Sequence, residues 1–269
     1  MSYSSWKPPF SYSGGKSQLA SRIINLLGHH FPNESHLLSP FLGGAAVELR
    51  WMHLGGSCLG ADVDKHVILL WEHLIRDAGA VADTAYRLMP MEVATWHDWY
   101  AELLSSDSQS VELAAKYFLL RYTKVVHAFA PWKKRLIAFN SPKVHWPALA
   151  RIAQFRAPRL SVEHADFRDF LNNHDGIVYA DSPYFSERGE MEAVYEKRGE
   201  ADSVFTRADH EALADLLCSR SGWIASNHDC DWVRNRYRGY EMHAVSVNYA
   251  SRSAQQKSNR GDELIIVSP

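Results

Sequence analysis

The spacing of apolar residues changes twice along the chain, and each change predicts a different kind of element. Leu19, Ile23, Leu26 and Leu27 recur at helical intervals and predict a helix closing near Gly28. Ser35-His36-Leu37-Leu38-Ser39 is an apolar run of strand length, and a helix follows over about residues 46–54. Ser57-Cys58-Leu59-Gly60-Ala61 gives a second strand ending at Asp62, with another helix over about residues 65–75. From there the alternation stops. Residues 81–88, 95–104 and 111–126 all read as helices, the last with Leu113, Tyr117, Leu120 and Lys124 on recurring turns. The strand pattern returns at Leu160-Ser161-Val162-Glu163, followed by a short helix to about Asn172 and the run Ile177-Val178-Tyr179-Ala180. A helix over 209–219, a strand Trp223-Ile224-Ala225-Ser226 and a hairpin of 240–247 with 263–267 complete the pattern. Strands alternating with helices predict an α/β sheet. Its two parts, residues 1–76 and 159–269, flank an inserted and mostly helical subdomain over residues 77–158.

Three of these strands stop at residues with chemistry to offer. The first runs into Pro40-Phe41-Leu42-Gly43-Gly44-Ala45-Ala46, a turn whose glycines let a ligand approach the backbone at a helix N-terminus. Asp62, ending the second strand, lies 19 residues past Gly43, the spacing of a carboxylate that binds ribose hydroxyls. It can also cap the next helix, a job open to Asp64. The third stops at Asp181, and Pro183 then forbids continued pairing. Asp181, the Ser182 carbonyl and the Tyr184 ring lie within four residues. A planar exocyclic amine needs two acceptors for its two N–H groups and a face to stack on, and this triplet offers both. A strand ending in an ordinary turn, with Asp181 as its cap, fits the same residues. Gly15-Lys16-Ser17 has the tail of a phosphate loop, but Phe10 stands where that motif needs glycine. What remains is a turn that puts Lys16 at the start of a helix.

Composition and charge narrow the classes. No apolar run reaches 18 residues and the N-terminus has no signal-peptide core, so a cytoplasmic protein without a membrane span is expected. Cys58, Cys218 and Cys230 show no CxxC spacing, and the 14 histidines form no HExxH, so no metal site is expected. The net charge of −2 hides an asymmetry. Residues 116–160 hold ten Lys/Arg and no acid, and residues 246–260 hold three more, again without an acid. The other 16 basic residues stand against 31 acidic ones, a balance of −15. A basic zone on an acidic body is the footprint of a polyanion-binding face. Within it, aromatic and basic side chains interleave, as stacking on bases and contact with phosphates require. Arg121, Lys124, Trp132, Lys133, Lys134, Arg135, Asn140 and Lys143 are the candidates there, with Arg252 and Lys257 in the second zone. Trp132 and Trp146 can alternatively pack inside the insert. The polar segment 186–206, beside the Asp181 turn, has the length of a mobile lid, and a merely disordered excursion fits the same residues equally well.

The order of these parts resembles the Dam-type (D12 class, alpha-group) DNA adenine-N6 methyltransferases, from about Pro9 to Pro269. Tyr12-Ser13-Gly14-Gly15-Lys16 resembles the family's aromatic-x-Gly-Gly-Lys segment. Ser39-Pro40-Phe41-Leu42-Gly43-Gly44-Ala45 resembles its acid-Pro-Phe-x-Gly-x-Gly cofactor loop. Ala61-Asp62-Val63-Asp64 is similar to the ribose-binding acid segment, and Ala165-Asp166-Phe167 to the acid near the cofactor's adenine. Asp181-Ser182-Pro183-Tyr184 is similar to the catalytic Asp-Pro-Pro-Tyr. Ser226-Asn227-His228-Asp229 and Asp262-Glu263-Leu264-Ile265 are similar to the closing elements.

The resemblance implies a Rossmann-like S-adenosylmethionine-dependent methyltransferase sheet, with residues 77–158 as a target-recognition subdomain that binds double-stranded DNA. It implies methyl transfer to adenine N6 after base flipping, with Asp181, Ser182, Pro183 and Tyr184 catalytic. Tyr12, Lys16, Phe41, Gly43, Asp62, Asp166 and Asp181 would line the S-adenosyl-L-methionine site. A restriction endonuclease encoded elsewhere is the partner such enzymes suggest. Three departures stand out: Ser182 for the first proline, Ser39 for the loop acid and Ala45 for the second glycine. They leave open a homologue that binds DNA with weakened catalysis, and the planar-amine grip also suits methylation of RNA or of a protein amide.

Overall fold

The computed structural model describes residues 7–10, 12, 15–124, 131–185, 205–249 and 259–268. Its sheet has seven strands: β1 (His36–Ser39), β2 (Ser57–Asp62), β3 (Leu160–His164), β4 (Ile177–Ala180), β5 (Trp223–His228), β6 (Glu241–Tyr249) and β7 (Asn259–Val267). They lie in the order β3-β2-β1-β4-β5-β7-β6. β1 to β5 pair in parallel, whereas β7 runs antiparallel to both β5 and β6. The chain proceeds outward from β1 through β2 to β3, then crosses back to β4 on the other side of β1. The loops after β1 and β4 therefore leave the same sheet edge side by side, at the switch point where open α/β sheets bind ligands.

Strand alternation builds one core on each face of the sheet. Leu37, Ile177, Tyr179, Ile224 and Ile265 point to one face. Seven helices cover it: α1 (Ala20–His30), α2 (Ala46–His53), α3 (Lys65–Arg87), α4 (Val93–Ser105), α5 (Val111–Thr123), α6 (Lys133–Phe139) and α7 (Pro142–Ala153). Leu38, Val178, Ala180, Trp223 and Ala225 point to the other face. There α8 (Phe167–Asn173), α9 (Arg207–Cys218) and α10 (Asp231–Arg236) bury Phe170, Leu213, Leu217 and Val233. Residues of the segment 77–158 thus share a hydrophobic cluster with one face of the sheet.

Several elements differ from their sequence signals. α1 runs through Gly28, which is exposed, and stops only where Phe31 is buried. The helix expected over 65–75 continues as α3 to Arg87, but its backbone leaves helical geometry at Asp77 (φ −156°, ψ 86°). Asp77 Oδ1 accepts from the Ala80 N–H, so the break carries its own cap. α5 ends at Thr123, short of the expected 126, because Lys124 turns extended and bridges to Pro131. α6, α7 and α10 carry no strong periodic signal. α7 starts with Pro142 in its first turn, where a missing N–H does no harm, and tolerates Pro147 inside. Residues 125–130, most of the expected lid 186–206 and the loop bearing Arg252 and Lys257 lie outside the described residues.

Asn140 is held by structure rather than turned outward. Its amide donates to the Met91 carbonyl at 2.7 Å and its oxygen accepts from the Met91 N–H at 3.0 Å. Asn140→Ala is expected to destabilise the protein by about 1–3 kcal/mol, because two backbone groups lose their partner together. Chemical denaturation measures this, and an unchanged midpoint would mean that water replaces the amide at no loss.

Candidate active site

The switch point is built from the ends of β1, β2, β4 and β5. After β1 the chain turns through Gly43 (φ +45°) and Ala45 (φ +53°), both left-handed. The turn stays tight because Tyr12 lies on it: a Cβ placed on Gly43 or Gly44 would sit 2.9 or 2.8 Å from Tyr12 side-chain atoms. From below, buried Trp71 donates to the Gly43 carbonyl at 2.8 Å. The Gly43 N–H donates to Asp62 Oδ2 at 2.9 Å, and the Asp64 N–H to Asp62 Oδ1 at 3.0 Å. Asp64 is the cap of α3, accepting from the His66 and Val67 N–H groups, which leaves Asp62 to the loop. Burial and the charge of Asp64 raise the Asp62 carboxyl to about 6. Burial pushes Asp64 up too, but the His66 side chain and the Arg121 guanidinium outweigh it and hold Asp64 at about 2.

Asp181 stands across the switch point from that loop. Its Oδ1 meets Lys16 Nζ at 2.8 Å and accepts from Ser226 Oγ at 2.7 Å. Neither bond uses Oδ2. Lys16 is only 6% exposed and also lies over the Tyr184 ring, 4.5 Å from its centroid. The Tyr184 hydroxyl donates to Glu263 Oε2, and burial with the nearby Asp181 charge raises the phenol. Burial likewise raises the Glu263 carboxyl, with Lys16 opposing. The Phe185 N–H donates to Asn227 Oδ1 at 2.9 Å, and the Phe185 ring stacks on Trp232 at 4.2 Å. Residues 181–185 are thus held from both ends and from β7.

Sequence-predicted residues divide by location. Tyr12, Lys16, Gly43, Asp62, Asp181 and Tyr184 form or flank the switch point. Phe41 packs beside it against Phe167 and Phe205. Asp166 caps α8 and pairs with Arg168. Arg121 and Lys124 are buried, although Lys124 bridges to Pro131 just before the exposed basic helix α6. Arg121 lies over the Tyr12 ring at 4.2 Å and electrostatically faces Asp62 and Asp64. Lys133, Lys134 and Lys143 are exposed, and Arg135 lies by Tyr122 and Trp132. Trp146 is half exposed and stacks on Tyr86. Glu48 and Tyr179 were not singled out from the sequence as site residues, and Ser226 and Glu263 entered only within the segments similar to the family's closing elements. The local signal for Glu48 is a carboxylate standing between Val47 and Leu49.

Together the sheet order, the glycine loop and the acid–carbonyl–tyrosine turn define an α/β protein of the Rossmann-like methyltransferase class. The family model for D12 class N6 adenine-specific DNA methyltransferases matches residues 12–251, and the chain belongs to that family. It is an enzyme that methylates the N6 amine of adenine in DNA. Two relatives are similar over nearly their full lengths. The DNA adenine methylase of Haemophilus influenzae is 22% identical over 276 residues, covering 97% of this chain and 93% of the relative. That of Vibrio cholerae is 24% identical over 275 residues, covering 95% and 94%. A solved Thermoplasma acidophilum structure aligns over 92% of this chain and 85% of its own, at 11% identity with a TM-score of 0.39, and carries no weight. Among the described residues no helix is long and apolar enough to cross a membrane, and no group of side chains is arranged for a metal ion.

Proposed function

We propose that the methyl donor is S-adenosyl-L-methionine and that the acceptor is an adenine flipped out of double-stranded DNA. The observation that carries this reading is the contact of Lys16 with Asp181 beside the Gly43–Asp62 bond, which joins a nucleotide-type loop to an amine grip. The chain's own residues fit the donor. A carboxyl held near 6 by burial suits a hydroxyl-rich ribose, and its oxygens keep lone pairs for it. Glu48, Asp181 and Glu263 gather on the pocket's side of the sheet, which suits a cationic ligand. Tyr12, Lys16, Phe41, Gly43, Asp62, Asp166 and Asp181 would hold it, and it would supply a sulfonium methyl group.

The adenine amine lies within the base stack, so flipping costs a few kcal/mol. Tyr184, fixed by Glu263 and flanked by Lys16, offers the flipped ring a face to stack on. Asp181 and the Ser182 carbonyl accept the two amine hydrogens. Those bonds localise the nitrogen lone pair, which the ring otherwise delocalises. Pro183 fixes the backbone after that carbonyl. The rate gain comes from positioning and preorganised acceptors, with no covalent enzyme intermediate. Calorimetry with S-adenosylmethionine, followed by sequencing of methylated adenines in DNA from expressing cells, tests the reading. Absence of donor binding would remove it.

Residues 77–158 form the target-recognition region in this proposal. Trp132, Lys133, Lys134, Arg135 and Lys143 would meet DNA, joined by Arg252 and Lys257. Arg121, Lys124 and Asn140 would act from behind, holding that surface against the cofactor side. An endonuclease reading the same sequence would be the enzyme's counterpart. Neutralising Lys133, Lys134 and Arg135 together is expected to weaken duplex binding and reduce its salt slope by roughly 0.9 for each phosphate no longer neutralised. An unchanged slope in a salt titration takes α6 out of the interface.

A further inference from the structure

Position 39 ends β1 at the mouth of the cofactor loop, yet it holds serine where the resembled pattern has an acid. Ser39 is fully buried and donates from Oγ to Glu48 Oε1 at 2.6 Å. Glu48 lies in the first turn of α2, immediately after the loop, and is 2% exposed. Ser39 shares its sheet face with Tyr179 and Ser226, and Ser226 bonds Asp181. The carboxylate therefore lies on the sheet face that carries Ser226, the partner of Asp181, close enough to feel the Asp181 charge.

We propose that Glu48 supplies from α2 the acid missing at position 39: held by Ser39, its carboxylate fixes the cofactor loop and adds the negative charge that draws the cationic donor. Glu48 is a positioning residue in this scheme, and the inference rests on S-adenosylmethionine being the donor. Its chemistry is otherwise hard to account for. A helix cap that serves only structure has no need of burial, which raises this carboxyl to about 7 with the Asp181 charge adding to it. Ser39 on β1, Cys58 on β2, Tyr179 on β4 and Asp181 beyond it are the groups that face Glu48. None of these four brings a positive charge; the cation on this side is Lys16, which is buried and paired with Asp181 at 2.8 Å. With its value raised to about 7, the carboxyl is mostly neutral at pH 5 and mostly ionised at pH 8. The ligand-free protein therefore loses stability as pH rises from the ordinary glutamate value of 4.5 to about 7. A cationic ligand reverses that loss when it binds, which is how a destabilised acid becomes affinity.

Calorimetry with S-adenosylmethionine and ligand-free thermal unfolding, each at pH 5 and pH 8, test this on the unaltered chain, Glu48→Gln and Ser39→Asp/Glu48→Gln. At pH 8 Glu48→Gln is expected to bind the donor roughly ten- to a hundred-fold more weakly, the scale of one hydrogen bond to a charged group. The same variant should melt at a higher temperature than the unaltered chain, because glutamine keeps the Ser39 bond without the buried charge. At pH 5 the two should bind alike. The double variant should recover donor binding, its carboxylate now entering from β1. Equal affinity at pH 8, weaker binding with lower melting, or no recovery in the double variant each overturns the inference alone. Failure of the unaltered chain to bind the donor overturns the donor assignment and this inference with it.

Discussion

Asp181→Ala is expected to abolish methyl transfer while leaving duplex binding nearly unchanged. The carboxylate does two things at once. In the proposed reaction it accepts a hydrogen bond from the amine, and in the free protein it pairs with Lys16 at 2.8 Å and with Ser226 at 2.7 Å. Removing one preorganised transition-state partner lowers turnover by about a hundred- to a thousand-fold. Here Lys16, a buried cation, also loses a charged neighbour, so a loss of about a thousand-fold or more is expected. Asp181 lies at the sheet edge, whereas the exposed bases of α6 belong to the other region, so duplex affinity has little reason to change. Transfer of a labelled methyl group, measured beside duplex binding at two salt concentrations, separates the two effects. Appreciable label on DNA treated with Asp181→Ala would contradict the assignment, and a parallel loss of duplex binding would mean that Asp181 supports the fold rather than the reaction.

Two of the departures from the family pattern, Ser182 and Ala45, have neighbours that support the turns they occupy. Ser182 removes a fixed φ from the catalytic turn. The same turn is held instead by Asn227, which takes the Phe185 N–H, by Phe185 stacked on Trp232, and by Glu263 on the Tyr184 hydroxyl. Ala45 occupies the left-handed place of the missing glycine at φ +53°, a conformation that costs a non-glycine residue roughly 1–2 kcal/mol. Its N–H donates to the Leu42 carbonyl at 2.8 Å, which closes the turn and offsets part of that cost. At Ser182 restraint has moved from the covalent chain to neighbouring groups, whereas at Ala45 a hydrogen bond within the turn offsets strain that glycine would not carry. The weakened-homologue reading takes its support from the residue changes alone.

How much of this could be read beforehand follows from the range of the forces involved. Strand ends were legible because apolar runs stop where carboxylates begin, as at Asp62 and Asp181. The glycine loop was legible because left-handed backbone selects glycine locally. The partners of these residues were not. Glu263 reaches Tyr184 across 79 positions, and Tyr117 donates to Asp64 across 53. No local periodicity encodes such pairs. The basic zone shows the same limit. A count of charges treats Arg121 and Lys133 alike, but α5 turns Arg121 inward over Tyr12 while α6 leaves Lys133 in solvent. Packing decided that difference, and packing depends on α6, which is too short to show a period, and on α7, whose two prolines hid it.

Trp71 joins the two levels and gives the second large effect. Its indole is fully buried, tilted against Phe10 at 5.2 Å and Phe155 at 5.7 Å, and its N–H reaches the Gly43 carbonyl. Trp71→Ala removes an indole from the core shared by the sheet and the helical insert, a change worth about 3–5 kcal/mol. For a chain of this size that lowers the melting temperature by on the order of 10 °C. Trp71→Phe isolates the other role. Most of the packing survives, but the Gly43 carbonyl loses its donor and the left-handed turn loses its support from below. The phenylalanine variant should therefore melt much closer to the unaltered protein than the alanine variant does, while S-adenosylmethionine binding falls roughly ten-fold, the effect of one buried polar group left unmatched. Calorimetric titration of both variants decides it. If Trp71→Phe binds the donor as tightly as the unaltered chain, the indole bond does not set the loop. The turn would then be held by Tyr12, Asp62 and its own backbone bonds, which shifts the control of donor affinity toward Arg121.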